Sequence, residues 1–395
     1  MTNIWRGTWL GAVLAALAMP GAVGCQHSAK DAGDKLDAAA VRAVDGSDVR
    51  GVVFAVDAPG VGLVHTSAAG VANVEAGTAM TGETAFFSAS VGKLFVATAV
   101  YALAKDGVID VDAPFVRYVD VDAAGIAGLP VAGGDAALAQ ITVRQLLAHR
   151  SGLPDYFSDA SKDGAPRLFD VLAQEPDRAW TRAELFAYAR DHYAPVGAPG
   201  DFHYADTNFD LLGLVLEGAT GAQSYAAVVR ERVLDPLGLV HTWTHAVEAA
   251  PAGVVVADVF VNGKNLRGAA ALTADQAGGG MITTTHDLCV FVRGLARGMP
   301  VSFADFGDAF ATDAMHAGID VGAPLWRVRP GGIFFALGGM PTLIGHSGAT
   351  GVWAYYANDI DAVFVGAASS NAWQEKHIEF LLSEVVPVVQ ATQKQ

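Results

Sequence analysis

Apolar and polar positions alternate along the chain in three different ways. Near the start, Gly51-Val52-Val53-Phe54-Ala55-Val56 and, after Pro59-Gly60, Gly62-Leu63-Val64-His65 form two apolar runs parted by a turn, a pattern that predicts a β-hairpin continuing to about Val74. Leu36 to Val44 repeats at helical spacing just before it. From Phe86 to Gly107 the chain is apolar almost all round (Leu94, Phe95, Val96, Ala97, Ala99, Val100, Ala102, Leu103), which predicts a buried helix stopped by Gly107.

The middle of the chain carries helix-start signals. Thr142/Gln145, Thr181/Glu184, Thr207/Asp210 and Thr284/Asp287 each set a Ser/Thr-type cap three residues before a polar partner and ahead of an apolar run. The last eighty residues change character: Ile333-Phe334-Phe335, Thr342 to His346, Val352 to Ala357 and Ala362 to Ala367 are short apolar runs parted by Gly, Asn and Asp, the pattern of antiparallel strands. An amphipathic helix from about Gln374 to Val389 closes the chain. Strands at both ends with helices between predict an α+β fold: one antiparallel sheet built from the two chain ends, flanked by helices, with a mainly helical domain inserted.

The N-terminus adds a separate segment. Arg6 precedes an apolar run from Trp9 to Met19 and then small residues up to Cys25, the pattern of an export signal and too short to span a membrane. Ala22-Val23-Gly24-Cys25 resembles the lipobox of bacterial lipoproteins, in which the cysteine is lipidated; simple cleavage after Ala-Val-Gly fits the same residues. The expected organisation is an export signal over 1–25, a linker over 26–34 and one domain over 35–395. Within that domain the sheet layer comes from about 35–85 and 320–395, the helical part from about 86–310. The location that follows is outside the cytoplasm, in the periplasm or cell envelope, with a membrane attachment through Cys25.

Composition narrows the function. Hydrophobic residues make up 52% of the chain and charged residues 17%, enough apolar content for a large core. A net charge of −16 without a Lys/Arg cluster argues against a nucleic-acid partner. Cys25 and Cys289 are the two cysteines, and Cys289 lies in an apolar helical pattern, so it reads as a core residue without a disulfide. Asp110 and Asp112 lack the spacing of a calcium loop, and His241 and His245 lack the glutamate of a zinc helix.

Candidate chemistry starts at Ser90 and Lys93. Three residues apart on a helix, they lie on one face about ~5 Å from each other, so the amine reaches the hydroxyl unaided. A lysine takes a serine proton only if burial and the helix dipole lower its pKa. The free N–H of Ser90 at the helix start offers one half of an oxyanion hole. Downstream, a Pro199-Gly200 turn leads to Tyr204 on a loop before a helix, and in Ile344-Gly345-His346-Ser347-Gly348 a strand ends in glycines that let backbone approach a ligand.

Together, Ser90-x-x-Lys93, Tyr204-x-Asp206 and His346-Ser347-Gly348 resemble the three motifs of the penicillin-recognising serine hydrolases: class C β-lactamases, D-alanyl-D-alanine carboxypeptidases and related esterases. The flanks Ile141 to Pro154, Leu234 to Leu239 and Ala277 to Thr284 are similar too. The resemblance implies Ser90 as nucleophile, Lys93 as its activating base and Tyr204 as the phenol that relays protons to the leaving group. It also implies substrate or oxyanion contacts from Asp206, His346, Ser347, Gly348 and Ala349. The implied reaction is hydrolysis through an acyl-Ser90 intermediate, without metal or cofactor, on a small-molecule or peptide substrate: a D-alanyl peptide, a β-lactam or an ester.

Two departures stand out. Many relatives carry Asn where this chain has Asp206, and β-lactamases usually have Lys-Thr-Gly where it has His346-Ser347-Gly348. An ionised Asp206 favours the Lys93 ammonium, which makes Tyr204 the general base. The histidine motif resembles carboxypeptidases and esterases more than dedicated β-lactamases, which ranks peptidase or esterase above lactamase. Three readings follow: a D,D-carboxypeptidase or amidase acting on D-alanyl peptides, an esterase of small acyl esters, and a non-turnover penicillin-binding sensor or scaffold. Tyr156, Phe157 and Trp353 are candidate pocket walls.

Overall fold

The computed structural model describes residues 29–45 and 49–394. The export segment and Cys25 lie outside the described residues. Helix α1 (Ala29–Val44) leads into β1 (Gly51–Ala58), β2 (Leu63–Asn73) and β3 (Thr78–Ala79). The chain returns at its other end as β4 (Ala311–His316), β5 (Ile319–Val321), β6 (Trp326–Val328), β7 (Leu343–Gly348), β8 (Val352–Ala357) and β9 (Ala362–Ala367). Among the described residues these form one nine-stranded sheet in the order β3-β2-β1-β9-β8-β7-β6-β5-β4, antiparallel throughout. The seam is the β1–β9 pair, Val53 opposite Ala367 and Asp57 opposite Val363, where the two chain ends meet.

Both faces of the central strands β1, β8 and β9 are covered, which explains why these strands read as continuous apolar runs instead of clean alternation. Val53, Ala55, Val352, Ala354, Val363 and Val365 face the helical part, while Phe54, Val56, Trp353, Tyr355 and Phe364 face α1 and the C-terminal helical segment. That segment runs through Lys376–Phe380, a wider turn at Leu381–Val385, and Val386–Gln393. Gly366 is needed in β9, because a Cβ there would come within 2.4 Å of the Trp353 ring.

The helical part is built around α2 (Gly92–Lys105), with eleven of its residues buried as its uniform apolarity predicts. It packs beside α3 (Val143–Leu147), α4 (Thr207–Thr220), the short α5 (Gln276–Gly279) and α6 (Thr285–Ala296); Phe95 stacks on Phe291 of α6 at 4.0 Å. The start of α2 meets α5 at two glycines: a Cβ on Gly92 would lie 2.8 Å from the Gly279 Cα, and one on Gly279 would lie 2.3 Å from the Ala89 carbonyl oxygen. No larger residue fits that contact without moving the Ser90 turn.

Four expectations are corrected. The stretch 26–34 is not all linker, because α1 begins at Ala29. The small residues that read as a tether are what let the helix lie on the sheet: Ala32 and Gly33 are buried with Leu36, Ala39, Ala40 and Ala43, and a Cβ on Gly33 would meet the His65 ring at 2.9 Å. Ile333-Phe334-Phe335 is not a strand. Val328 pairs directly with Leu343, so the segment between them closes on itself as helical turns at Pro330–Ile333 and Phe335–Leu337, with Phe335 91% exposed. The sheet also reaches back to Ala311, before the expected start near 320.

The fourth concerns capping. Thr142 and Thr181 make full capping boxes, and Thr284 caps through the Asp287 N–H while the Asp287 carboxylate turns to Thr242. Thr207 does not cap α4: its hydroxyl donates to the Pro154 carbonyl at 2.7 Å, and Asp210 accepts from the Tyr156 hydroxyl. Both side chains are drawn off by the buried 154–156 loop beneath the helix.

Candidate active site

A short strand, Phe86–Phe87, pairs with Met281–Thr283 and delivers the chain into a tight turn over Ala89–Val91 that runs straight into α2. Ala89 is held at φ +43, a left-handed conformation that a non-glycine residue rarely adopts and that turns the next residue out of the core. That residue is Ser90. Three positions on, Lys93 is fully buried and its Nζ donates to Ser90 Oγ at 3.1 Å, to the Gly278 carbonyl at 2.7 Å and to Asp206 Oδ1.

The lysine is therefore fixed from three sides, and its charge state follows. Burial acts to lower its pKa, but the Asp206 carboxylate, with Tyr204 and Asp275 adding to it, outweighs burial and moves it above the ordinary lysine range. The condition of a lowered lysine pKa is not met: Lys93 is an ammonium, and the cause is the aspartate that stands where many relatives have asparagine.

Tyr204 arrives on the loop ahead of α4. His203 N–H donates to the His149 carbonyl at 2.8 Å, and Ala205 N–H donates to His149 Nδ1 at 3.1 Å, so both neighbours of Tyr204 are tied to one histidine. The His149 ring stacks on the phenol at 4.2 Å. The Tyr204 hydroxyl is buried with no formed hydrogen bond, and the Lys93 Nζ lies 5.3 Å from the ring centroid. Burial raises the phenol's pKa above its ordinary value, while Lys93 and Ser90 act to lower it. At neutral pH Tyr204 keeps its proton.

On the opposite wall, β7 passes the Ser90 turn so closely that a Cβ on Gly348 would lie 2.9 Å from the Ser88 carbonyl oxygen and 3.3 Å from Ser90 N. The glycine lets the strand end, which Ala349 follows, pass alongside Ser90. His346 is fully buried; its Nδ1 lies 2.6 Å from the Ser347 carbonyl and its Nε2 has no partner. Nδ1 therefore carries the hydrogen and Nε2 presents a lone pair. Burial, with the Lys93 charge in the same direction, lowers the His346 pKa to about 3, so the ring is neutral.

Ser90, Lys93, Tyr204, Asp206, His346, Gly348 and Ala349 thus converge. Ser347 does not join them by its side chain: it sits opposite Trp353 and beside the Tyr355 hydroxyl, on the sheet side that faces the C-terminal helical segment. Trp353 is corrected as a pocket wall for the same reason, packed at 6.0 Å on His377. Tyr156 and Phe157 are buried in the helical core, with the Tyr156 hydroxyl donated to Asp210. A cavity of about 460 Å³ lies elsewhere, between β1–β2 and α6, walled by Val56, Val64, Leu237, Val290 and Met299.

Residue spacing did not reveal four participants. His149 orients Tyr204. Trp326, on the edge of β6, packs at 5.2 Å from His346 and 6.3 Å from Tyr204. Asp155 accepts from Asp206 N–H at 3.2 Å, and burial together with the Asp206 charge pushes its carboxyl up to about 7. Asp275, beside Lys93, is raised well above the carboxylate range, by burial first. The only sequence trace of His149 is its position inside the Ile141–Pro154 flank.

The family profile described as Beta-lactamase matches residues 36–381. The chain belongs to the beta-lactamase family. The likeness to penicillin-recognising serine hydrolases drawn from the three motifs is borne out. Curated relatives include penicillin-binding protein 4 of Amycolatopsis lactamdurans, 32% identical over 192 residues (48% of this chain, 43% of that protein), and esterase EstB of Burkholderia gladioli, 33% identical over 179 residues (45% and 43%). The matched part thus spans less than half of either relative. The D-amino acid amidase from Ochrobactrum anthropi SV3, in its complex with D-phenylalanine, superposes with a TM-score of 0.73 at 22% identity, over 92% of this chain and 99% of that one. That likeness establishes the β-lactamase/transpeptidase-like fold.

The neutral His346 has a thermodynamic signature. Its folded pKa of about 3 lies below the unfolded value near 6.5, so between those values the unfolded chain binds a proton that the folded chain does not. Stability falls as pH drops through that window, by an amount on the order of a few kcal/mol. His346→Asn is expected to lose less stability than wild type between pH 6.5 and 4, read as the pH dependence of the urea midpoint.

Proposed function

We propose that this beta-lactamase-family chain is a serine hydrolase that opens amides or esters through an acyl-Ser90 intermediate. The observation that carries the reading is the Lys93 ammonium held 3.1 Å from Ser90 Oγ by Asp206 and the Gly278 carbonyl, with the Tyr204 phenol buried beside it. In acylation Ser90 Oγ forms the bond to the carbonyl carbon. Its proton passes to the Tyr204 oxygen as Tyr204 gives its own proton to the departing nitrogen or oxygen. Lys93 stays charged throughout and holds Ser90 Oγ in place beside the phenol, and the N–H groups of Ser90 and Ala349 receive the carbonyl oxygen. Water then deacylates Ser90 by the reverse relay.

D-alanyl-D-alanine carboxypeptidase, β-lactamase, amidase and esterase are finer assignments that share this relay and differ in the group that leaves. An intact relay favours turnover over a sensor or scaffold role, because a scaffold has no use for a positioned proton-transfer group. Intact-mass spectrometry after exposure to a fluorophosphonate and to a penicillin tests the nucleophile: a covalent adduct is expected on wild type and not on Ser90→Ala. Tyr204→Phe is expected to slow acylation by about 10²–10⁴-fold. A variant as fast as wild type would remove Tyr204 from the relay.

Asp206 decides the charge of Lys93, and its removal has a defined sign. In Asp206→Asn the main charge that raises the lysine pKa is gone while burial, which lowers it, remains. The acylation pH profile of the variant is expected to gain a lysine titration below pH 10 that wild type lacks; superimposable profiles would contradict the assignment.

We also propose export with lipid attachment at Cys25, on the strength of the N-terminal charge, apolar run and small-residue pattern. Incorporation of labelled palmitate into wild type and its loss in Cys25→Ala is the expected outcome. An unlabelled chain shortened after Gly24 would favour simple cleavage.

A further inference from the structure

We propose that the leaving-group side of the Ser90 site is an uncharged aromatic pocket, formed by Tyr204, Trp326 and His346, that accepts esters and amides with neutral, apolar leaving groups and rejects those whose leaving group bears a carboxylate, D-alanine included. The proposal rests on the acyl-Ser90 reading above and names its substrate class.

The place of the pocket follows from the relay. Tyr204 hands its proton to the leaving atom, so the leaving group lies against Tyr204, and the rings that wall it there are Trp326 at 6.3 Å and His346 at 6.3 Å, themselves 5.2 Å apart. Their planes are splayed, Tyr204 at 83° to Trp326 and 51° to His346, so the rings form walls and not a stack. Each ring also brings a buried polar atom without a partner: the Tyr204 hydroxyl, Trp326 Nε1 and His346 Nε2. Two neutral donors and one lone pair suit a dipolar group and not an anion.

Charge decides the exclusion. A carboxylate taken out of water needs a cation and good hydrogen bonds, and desolvation without them costs several kcal/mol. Lys93 is the ammonium at this site, and its three contacts go to Ser90, Gly278 and Asp206. His346, at the position where β-lactamases usually carry lysine, is neutral, and its buried Nε2 offers a lone pair without a partner, which repels an oxyanion. Below the rings, Asp206 is the carboxylate that the Lys93 ammonium already pairs, and burial pushes the carboxyls of Asp155 and Asp210 up to about 7, so that ammonium is balanced within the cluster and is not free for a second negative group.

Phenyl acetate and 3-carboxyphenyl acetate form the matched pair for the test, since a meta carboxylate barely alters the acidity of the leaving phenol. The full-length protein is expected to hydrolyse phenyl acetate with a kcat/KM at least 100-fold higher, with Ser90→Ala inactive on both. His346→Lys is expected to narrow that ratio at least tenfold by gaining on the carboxylate ester. Independently of any variant, phenol is expected to inhibit wild type at concentrations at least tenfold lower than 3-hydroxybenzoate. Comparable kcat/KM values for the two esters, with activity still lost in Ser90→Ala, would overturn the proposal and leave the acyl-enzyme reading standing. Hydrolysis that survives Ser90→Ala, or no hydrolysis of either ester, would overturn both.

Discussion

Lys93 and Asp206 form an ion pair with almost no access to water, and the site depends on it. Two charges removed from water must recover several kcal/mol each, and here the recovery comes from mutual contact plus the Gly278 carbonyl and Ser90 Oγ on the lysine, with the Asp155 side chain receiving the Asp206 N–H. Such a pair is poor evidence for stability in itself, since an apolar replacement of both partners is often no worse. Loss of one partner alone leaves a buried charge and costs roughly 3–5 kcal/mol. The pair also joins α2, α4 and α5 at one point, so the geometry of Ser90 is set by three elements at once. Glycine contacts at Gly92, Gly279 and Gly348 make that convergence possible by letting backbone meet backbone where a Cβ would intrude.

The carboxyl groups around the pair share its consequences. Asp155 and Asp210 are each pushed up to about 7, and Asp275 is raised well above the usual carboxylate value, burial being the largest cause in all three. Asp210 is relieved by the Tyr156 hydroxyl and the Arg182 charge, and Asp155 by Ser158 at 2.5 Å. A cluster of this kind holds less negative charge than its composition suggests, which lets one ammonium balance it.

Much of this was legible in the sequence, and the parts that were not share a cause. Ser90 and Lys93 are linked by helical geometry alone, so their spacing was sufficient. The two-ended sheet was legible because turn residues bracket each of its long strands. Local pattern failed where a distant neighbour decides the outcome. Thr207 and Asp210 match a capping box, yet a loop fifty residues earlier recruits both side chains. Ile333-Phe334-Phe335 has strand composition but no strand left to pair with. The small residues at 29–34 read as a tether because nothing local shows the sheet surface they pack on. His149 and Trp326 carry no spacing signal at all; only the fold brings them to Tyr204. Trp353 and Ser347 were misread for a related reason, since an apolar run covered on both sides does not reveal which side is which.

The two departures from the family motifs are better understood together than singly. Asp206 in place of asparagine adds a negative charge beneath the nucleophile, and His346 in place of lysine removes a positive one from the strand beside it. Both move the site in one direction, toward less positive charge. They are also chemically coupled: Asp206 keeps Lys93 charged, and the charged Lys93 is one of the two influences that hold His346 neutral. A lysine at 346 would face the Lys93 ammonium across the same cleft, and a neutral residue avoids that repulsion. With its one ammonium held by Asp206, the Gly278 carbonyl and Ser90 Oγ, what surrounds Tyr204 is rings and dipoles.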